Sequence, residues 1–314
     1  MHRKILVTGG TGLLGTGLRL QAKNFPEREF VFLGSRDCNL TSLDSVLRCV
    51  EQHRPDAILN FAAISGGIGF SMKYPATLLR DNVLMNLNLL EAARLLSVPK
   101  SVHFLSVGMY PPTAPIPLKE TSLHDGKAHE TNYSYAYAKR LIEPAIHAYQ
   151  QEYGLDVIGL VPNGIFGENM NYRPEESIML AALIRRFYEH RDDREDLVVW
   201  GDGTALREYT YAQDMARACL WCLDHYDNAD ILNIGSTEEH SVGETARMIA
   251  EIMGIDQGRI RFDTTKPGGI HRRSTDNSRF VELSGFQYTP FRQALANTIH
   301  WFMDNHGKPG KVRL

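Results

Sequence analysis

The sequence has few cysteines, no apolar run near the ~20 residues that cross a bilayer, and no excess of either charge. Its four cysteines, Cys38, Cys49, Cys219 and Cys222, are too few and too irregularly spaced for the disulfide framework of a small secreted protein. Cys219 and Cys222 have the spacing of a redox or zinc half-site. They fall inside an apolar, helix-like run from Ala212 to Leu223 with no second ligand pair, so buried helix packing is expected and no metal is assigned. A net charge of −3, with arginines dispersed along the chain, argues against nucleic-acid binding and for a small-molecule partner. Met1-His2-Arg3-Lys4 leads directly into Ile5-Leu6-Val7 without a signal-peptide pattern, so a cytoplasmic protein that does not engage membranes is expected. Internal repeats and low-complexity segments are missing too, and only Lys308-Pro309-Gly310-Lys311 reads as a loose tail.

What the chain does have is length, 314 residues with 43% hydrophobic content, and a regular alternation of elements. Lys4–Thr8, Glu29–Leu33, Ala57–Phe61, Ser101–Leu105 and Asp156–Val161 read as short strands separated by longer amphipathic segments, the pattern of parallel strands joined by crossover helices. Because these strands are continuous apolar runs, both faces of their sheet should be covered. After Gly167 the pattern loosens into a helix near Ser177–Glu189, strands at Leu197–Trp200 and Ile231–Ile234, and helices near Val242–Met253 and Phe291–Asn305. The expected fold is α/β: a doubly wound parallel sheet over residues 1–165 and a smaller α/β substrate lobe over 166–314, some of whose segments return to the first unit.

Directly after the first strand comes Gly9-Gly10-Thr11-Gly12-Leu13-Leu14-Gly15, a Gly-x-x-Gly-x-x-Gly pattern between strand and helix. Glycines there allow a tight turn and close approach of the backbone to a pyrophosphate at a helix N-terminus, as in Rossmann-type dinucleotide sites. The second strand ends in Gly34-Ser35-Arg36-Asp37. Arg36 suits a ribose 2′-phosphate and favours NADP, while Asp37 leaves NAD open. Asn39-Leu40 then fits an adenine-edge contact followed by an apolar platform.

Tyr135-Ala136-Tyr137-Ala138-Lys139 sets a phenol and an ammonium four residues apart in a helix-like segment, hence on one helix face. A lysine held beside a tyrosine lowers the phenol's pKa, giving the acid–base unit of a ketone or alcohol redox enzyme. By itself the spacing also suits a solvated helix pair.

Several further strings point one way: Thr8-Gly9-Gly10-Thr11-Gly12, Ala62-Ala63-Ile64-Ser65-Gly66-Gly67-Ile68, Ser106 with Tyr110-Pro111, Trp200-Gly201-x-Gly203 and Asp263-Thr264-Thr265-Lys266-Pro267. Together with Tyr135 and Lys139 they resemble the GDP-L-fucose synthase family of extended short-chain dehydrogenases/reductases, over nearly the whole chain. The resemblance implies an NADPH-dependent enzyme for a GDP-linked 4-keto-6-deoxy sugar, epimerised at C3 and C5 and then reduced at C4. It implies that Ser106 hydrogen-bonds the C4 oxygen, Tyr135 protonates it, and Lys139 holds the nicotinamide ribose and depresses the Tyr135 pKa. Gly9, Thr11, Gly12, Leu13, Leu14, Gly15, Arg36, Asn39, Leu40, Ala62, Ala63, Ile64, Tyr135, Lys139, Pro162 and Ile165 would bind NADP(H). Arg186, Trp200, Arg207 and Arg273 would bind the GDP-sugar.

The epimerising groups of the family are a cysteine two residues after the serine and a histidine on the helix after a glycine-rich turn. Here those positions are Gly108 and Ile178, and neither side chain titrates. The family's proline-threonine-asparagine becomes Pro162-Asn163-Gly164, and its aspartate after Thr-Thr-Lys-Pro becomes Gly268. The expectation is a C4 ketoreductase, of a hexose or heptose, without epimerase activity. Its rival is a bifunctional epimerase–reductase whose acid and base come from elsewhere, with His124, His129 and Glu168 nearby in sequence but read as surface or core residues. A nucleotide-sugar dehydratase would need an acidic pair where Val107-Gly108 stands, and a non-catalytic dinucleotide sensor or scaffold would need none of Ser106, Tyr135 and Lys139. The resemblance also implies a homodimer through Ala76–Leu96 and Ser134–Tyr153.

Overall fold

The computed structural model describes residues 2–174, 176–266 and 270–314, Ile68 without its side chain. The first half runs β1 (Lys4–Thr8), α1 (Leu13–Gln21), β2 (Glu29–Leu33), α2 (Leu43–His53), β3 (Ala57–Asn60), α3 (Ile68–Lys73), α4 (Pro75–Leu95), β4 (Lys100–Phe104), α5 (Tyr133–Arg140), α6 (Ile142–Tyr153) and β5 (Asp156–Pro162). The second half runs β6 (Gly164–Phe166), α7 (Met179–Glu189), β7 (Leu197–Trp200), β8 (Leu206–Tyr211), α8 (Ala212–His225), β9 (Leu232–Ile234), β10 (Glu239–Ser241), α9 (Val242–Ile252), β11 (Ile260–Asp263), α10 (Ser278–Ser284) and α11 (Phe291–Asn305).

Six parallel strands form the main sheet in the order β2-β1-β3-β4-β5-β9, the doubly wound arrangement expected from the alternation. The strand residues explain the two layers of helices. Along β1, Leu6 joins one core while Ile5 and Val7 join the other; on β5, Val157 and Val161 face the first core, Ile158 and Leu160 the second. Helices α2, α4 and α6 cover the first face, and α1 and α8 pack together on the other.

A third apolar core forms the second lobe around Phe166, Leu180, Ile184, Val199, Ile249 and Phe302, with sheets β10-β8-β6 and β11-β7. The strand read at Ile231–Ile234 is a segment that returns to the first unit. It pairs in parallel with β5 and completes the main sheet. Lys308-Pro309-Gly310-Lys311 is exposed throughout, and beyond it the Arg313 carbonyl accepts from Tyr172 N at 2.9 Å. Cys219 and Cys222 are buried on α8, where desolvation pushes both thiols up, so they act as packing groups. Among the described residues no helix is long and apolar enough to cross a membrane.

Candidate active site

The cleft opens at the C-terminal ends of β1, β3, β4 and β5, where a doubly wound sheet switches strand order. Gly9 begins it with φ +64°, and a β-carbon there would lie 2.7 Å from the Phe61 carbonyl carbon, so only glycine fits. Helix α1 starts at an N-cap, Gly12, that offers no side-chain bond, leaving its first amides available to an anion. Gly15 faces the backbone of Gly10, where a β-carbon would stand at 2.6 Å; it serves close packing of helix on loop and does not line the cleft.

The first cavity, about 460 Å³, is lined by Gly9, Thr11, Gly12, Asn39, Leu40, Ala62, Ala63 and Ile64 among others. Arg36 stands exposed just outside this lining. Asp37, the residue that kept NAD open, turns its carboxylate back to accept from Gly34 N at 2.7 Å and is absent from the wall. The Ile64 loop is held from behind, because Asn82 accepts from Ile64 N at 3.0 Å and donates to Ile64 O at 2.9 Å.

A second cavity, about 510 Å³, continues from the first through Gly12, Phe61 and Ala63. It brings together Leu13, Leu14, Ser106, Tyr135, Lys139, Pro162 and Ile165. Ser106 caps the turn after β4, its hydroxyl accepting from Gly108 N at 3.1 Å, and Tyr135 hydrogen-bonds it from α5. Arg140 locks the two elements together. Its buried guanidinium donates to Met109 O, from Nε at 3.2 Å, and to Gly126 O at 2.8 Å.

The electrostatics differ from the expectation that Lys139 depresses the Tyr135 pKa. Burial pushes the Tyr135 phenol up to about 12, and the Ser106 hydrogen bond offsets only part of that. Lys139 is itself buried and turned to Phe104 O at 2.7 Å, and desolvation pulls its ammonium down to about 8. At neutral pH the pair is therefore a protonated phenol beside a buried cation, an arrangement suited to giving a proton. Behind them lies an uncharged His103, pulled down to about 3 by burial and then by Lys139.

A third cavity, about 470 Å³, meets the second at Tyr135, Ser65 and Gly66 and extends to Gly108, Asn132, His129 and Arg273. A β-carbon on Gly108 would lie 2.9 Å from Asn132 Nδ2, so Asn132 fills the space a side chain at 108 would use. Ile178 lines the second cavity, 42% exposed; it is the N-cap before α7 and not a residue of the helix, which starts two residues later than Ser177. His129, read from sequence as a surface or core residue, lines the third cavity, its Nδ1 accepting from Thr131 N at 3.3 Å. His124 pairs with Glu143 at 3.0 Å, and Glu168 accepts from Tyr211 Oη and Gln213 Nε2; neither lines these cavities. Glu176 does line the second cavity, held by Asn171 Nδ2 at 2.8 Å.

Arg273 is the far wall of the third cavity, and its guanidinium is drawn below the usual arginine range by burial and then by the positive charge of Arg207. Two cations drawn together in this way suit a diphosphate. Trp200 is 53% exposed at the end of β7 under Lys266, and Arg186 donates to Val198 O on the same strand at 2.5 Å. Beside them lies a hollow of about 270 Å³ lined by Gly201, Asp202, Thr264, Lys266 and His271. Asn163 is absorbed structurally, donating to Ser236 O at 2.7 Å and accepting from Thr210 Oγ1 at 2.6 Å. Gly268 lies outside the described residues.

Sequence reasoning missed Asn132, Arg140 and Asn82. The first two flank the Tyr135-to-Lys139 motif in sequence, and an arginine directly after the lysine is the signal the sequence offers.

The model of the NAD dependent epimerase/dehydratase family matches residues 5–235. GDP-L-fucose synthase of Dictyostelium discoideum is 34% identical over 97% of this chain and 96% of its own length. GDP-L-fucose synthase of Escherichia coli K12 is 29% identical over 98% of both chains. A crystal structure of a GDP-L-fucose synthetase from Naegleria fowleri bound to NADP superposes with a TM-score of 0.93 at 32% identity, over 99% of this chain and 95% of that one.

Proposed function

Because this chain belongs to the NAD dependent epimerase/dehydratase family and, within it, to the GDP-L-fucose synthase family, we propose that it reduces the C4 ketone of a GDP-linked 4-keto-6-deoxy sugar without epimerising C3 or C5. The chain is an NADP-dependent oxidoreductase, and its residues fit that cofactor. Gly9 and Gly12 line the first cavity and no side chain caps the first amides of α1, Arg36 is exposed at the rim, and Asp37 is engaged by its own loop. When bound, NADPH supplies the hydride. The protein supplies the rest: Ser106 and Tyr135 donate hydrogen bonds to the C4 oxygen, Tyr135 delivers the proton, and Lys139 provides a buried positive charge beneath them. Arg207 and Arg273 hold the diphosphate, with Trp200 and Arg186 toward the nucleotide end.

The observation that carries the reductase-only reading is the pair of walls facing Tyr135. One offers an amide at Gly108, where a proton-transfer group would need to stand, and the other an isoleucine at 178. Inverting a carbon beside a ketone takes a base on one face and an acid on the other. His129 lines the third cavity and not the second, and its Nδ1 is engaged by Thr131, at 3.3 Å from the main-chain amide and 2.9 Å from the hydroxyl. Glu176 is the group that supports the bifunctional alternative, since it lines the cleft near Ile178.

Incubating the protein with GDP-4-keto-6-deoxy-mannose in heavy water, with and without NADPH, separates the readings by mass spectrometry. We expect NADPH-dependent reduction and no enzyme-dependent deuterium at C3 or C5. Exchange at either carbon overturns the reductase-only reading, and absence of reduction on a panel of 4-keto sugars revives the non-catalytic one. We also propose a homodimer through the face that leaves Leu79, Leu84 and Tyr153 exposed on α4 and α6, checked by sedimentation equilibrium.

A further inference from the structure

The N-cap position of α5 is occupied by Asn132, a residue type that ordinarily caps a helix by accepting from an amide of the first turn. Asn132 makes no such bond. Its Oδ1 instead accepts from Ser71 Oγ at 3.4 Å, which orients the amide so that Nδ2 faces Gly108. Among the described residues Nδ2 has no acceptor, and it is not sealed from the cavity it lines. The point where a β-carbon on Gly108 would stand lies 2.9 Å from Asn132 Nδ2 and 3.3 Å from Ser106 Oγ. An unfilled amide donor therefore sits beside the serine hydroxyl that, with Tyr135, defines the place of the ketone oxygen.

We propose that Asn132 is a specificity-determining residue that donates a hydrogen bond to the oxygen on C3 of the sugar, and that Gly108 is the residue that admits it. The proposal rests on the C4-reductase reading above and deepens it to a substrate class: 4-keto sugars carrying a hydroxyl on the carbon next to the ketone. The chemistry selects that oxygen. Of the two ring carbons flanking C4, only C3 carries a hydroxyl, and a hydroxyl vicinal to a carbonyl lies close to the carbonyl oxygen. Two donors that flank one point, Ser106 Oγ and Asn132 Nδ2, match two vicinal acceptors. A binding amide in this place also cannot remove a proton from C3, which agrees with a site that reads the C3 oxygen without inverting its carbon.

The test compares kcat and KM for two GDP-linked 4-keto-6-deoxy sugars, one with the 3-hydroxyl and one lacking it. The wild-type chain should prefer the hydroxylated sugar, and Asn132→Leu, nearly isosteric but without the amide, should lower that preference about tenfold, the worth of one hydrogen bond in a desolvated site. Gly108→Ala should do the same, because its methyl displaces Nδ2, and should add little in an Asn132→Leu background. NADPH affinity of each variant reports that the fold is intact. Equal losses on both sugars, or no change in the preference, overturn the assignment of Asn132 while the reductase reading stands. A wild-type protein that reduces neither sugar removes the reductase reading, and the assignment with it.

Discussion

The Lys139 ammonium donates to the main-chain carbonyl of Phe104 at 2.7 Å, one helical turn from Tyr135. Burial pulls that ammonium down to about 8 and pushes the Tyr135 phenol up to about 12. Tyr135 is thus protonated across the working range, while Lys139 loses its charge within it. If the cation stabilises the phenolate left when Tyr135 gives up its proton, kcat/KM for reduction should be flat on the acid side and decline as pH rises through about 8. A profile flat through that region would falsify the role. Linkage gives a second reading of the same shift. The unfolded chain holds the lysine proton up to the ordinary 10.5, so this group's contribution to stability rises with pH between about 8 and 10.5. Lys139→Met should abolish that rise along with most of the activity.

Cofactor choice is assigned to Arg36. It is exposed, makes no hydrogen bond or ion pair among the described residues, and stands at the rim of the first cavity. Arg36→Ala should raise KM for NADPH by tenfold or more, on the order of 1–2 kcal/mol for a charge-assisted phosphate contact, and leave KM for NADH nearly unchanged. Thermal stability should shift by less than about 0.5 kcal/mol, as for other exposed positions. Parallel changes with both cofactors would contradict a 2′-phosphate contact.

Arg140 ties the catalytic helix to the serine turn by donating to Met109 O and Gly126 O. Arg140→Leu removes a buried charge but leaves both carbonyls unpaired, which should destabilise the fold by about 2–4 kcal/mol. The functional readout is kcat, because Ser106 and Tyr135 lose the link that fixes their spacing. A lysine at 140 offers one ammonium where a fork spans two carbonyls, so it should restore little of either property. A stable Arg140→Leu chain with normal kcat would place the spacing under other control.

The fold was largely legible because its signals are local. Ile5, Leu6 and Val7 form a continuous apolar run whatever the rest of the chain does, and Gly9 to Gly15 needs only the preceding strand to be meaningful. What could not be read depends on partners distant in sequence. Leu232–Ile234 is a strand by composition, but nothing in three residues says that it will pair with β5. Tyr135 and Lys139 show their spacing in the sequence but not their burial, and burial reversed the expected direction of the phenol's pKa. Nothing in the sequence singles out Asn132 until Gly108, remote in sequence, is seen beside its amide.

That contact makes a demanding prediction about the missing epimerase groups. Restoring them by Gly108→Cys with Ile178→His should not restore exchange at C3 or C5. The new β-carbon would meet Asn132 Nδ2 at 2.9 Å, so the amide must shift, and the shifted amide and the thiol then compete for the same space beside Ser106. Ile178 presents no such difficulty: it precedes α7 in extended conformation and already opens on the cleft, so a histidine there is sterically free. The limiting position is therefore 108. Adding Asn132→Ala to the double variant opens the space for the thiol, and enzyme-dependent deuterium incorporation should appear in the triple variant while staying at background in the double. Exchange in the double variant itself would mean that Asn132 yields readily, and that the loss of epimerase chemistry lies in Gly108 and Ile178 alone.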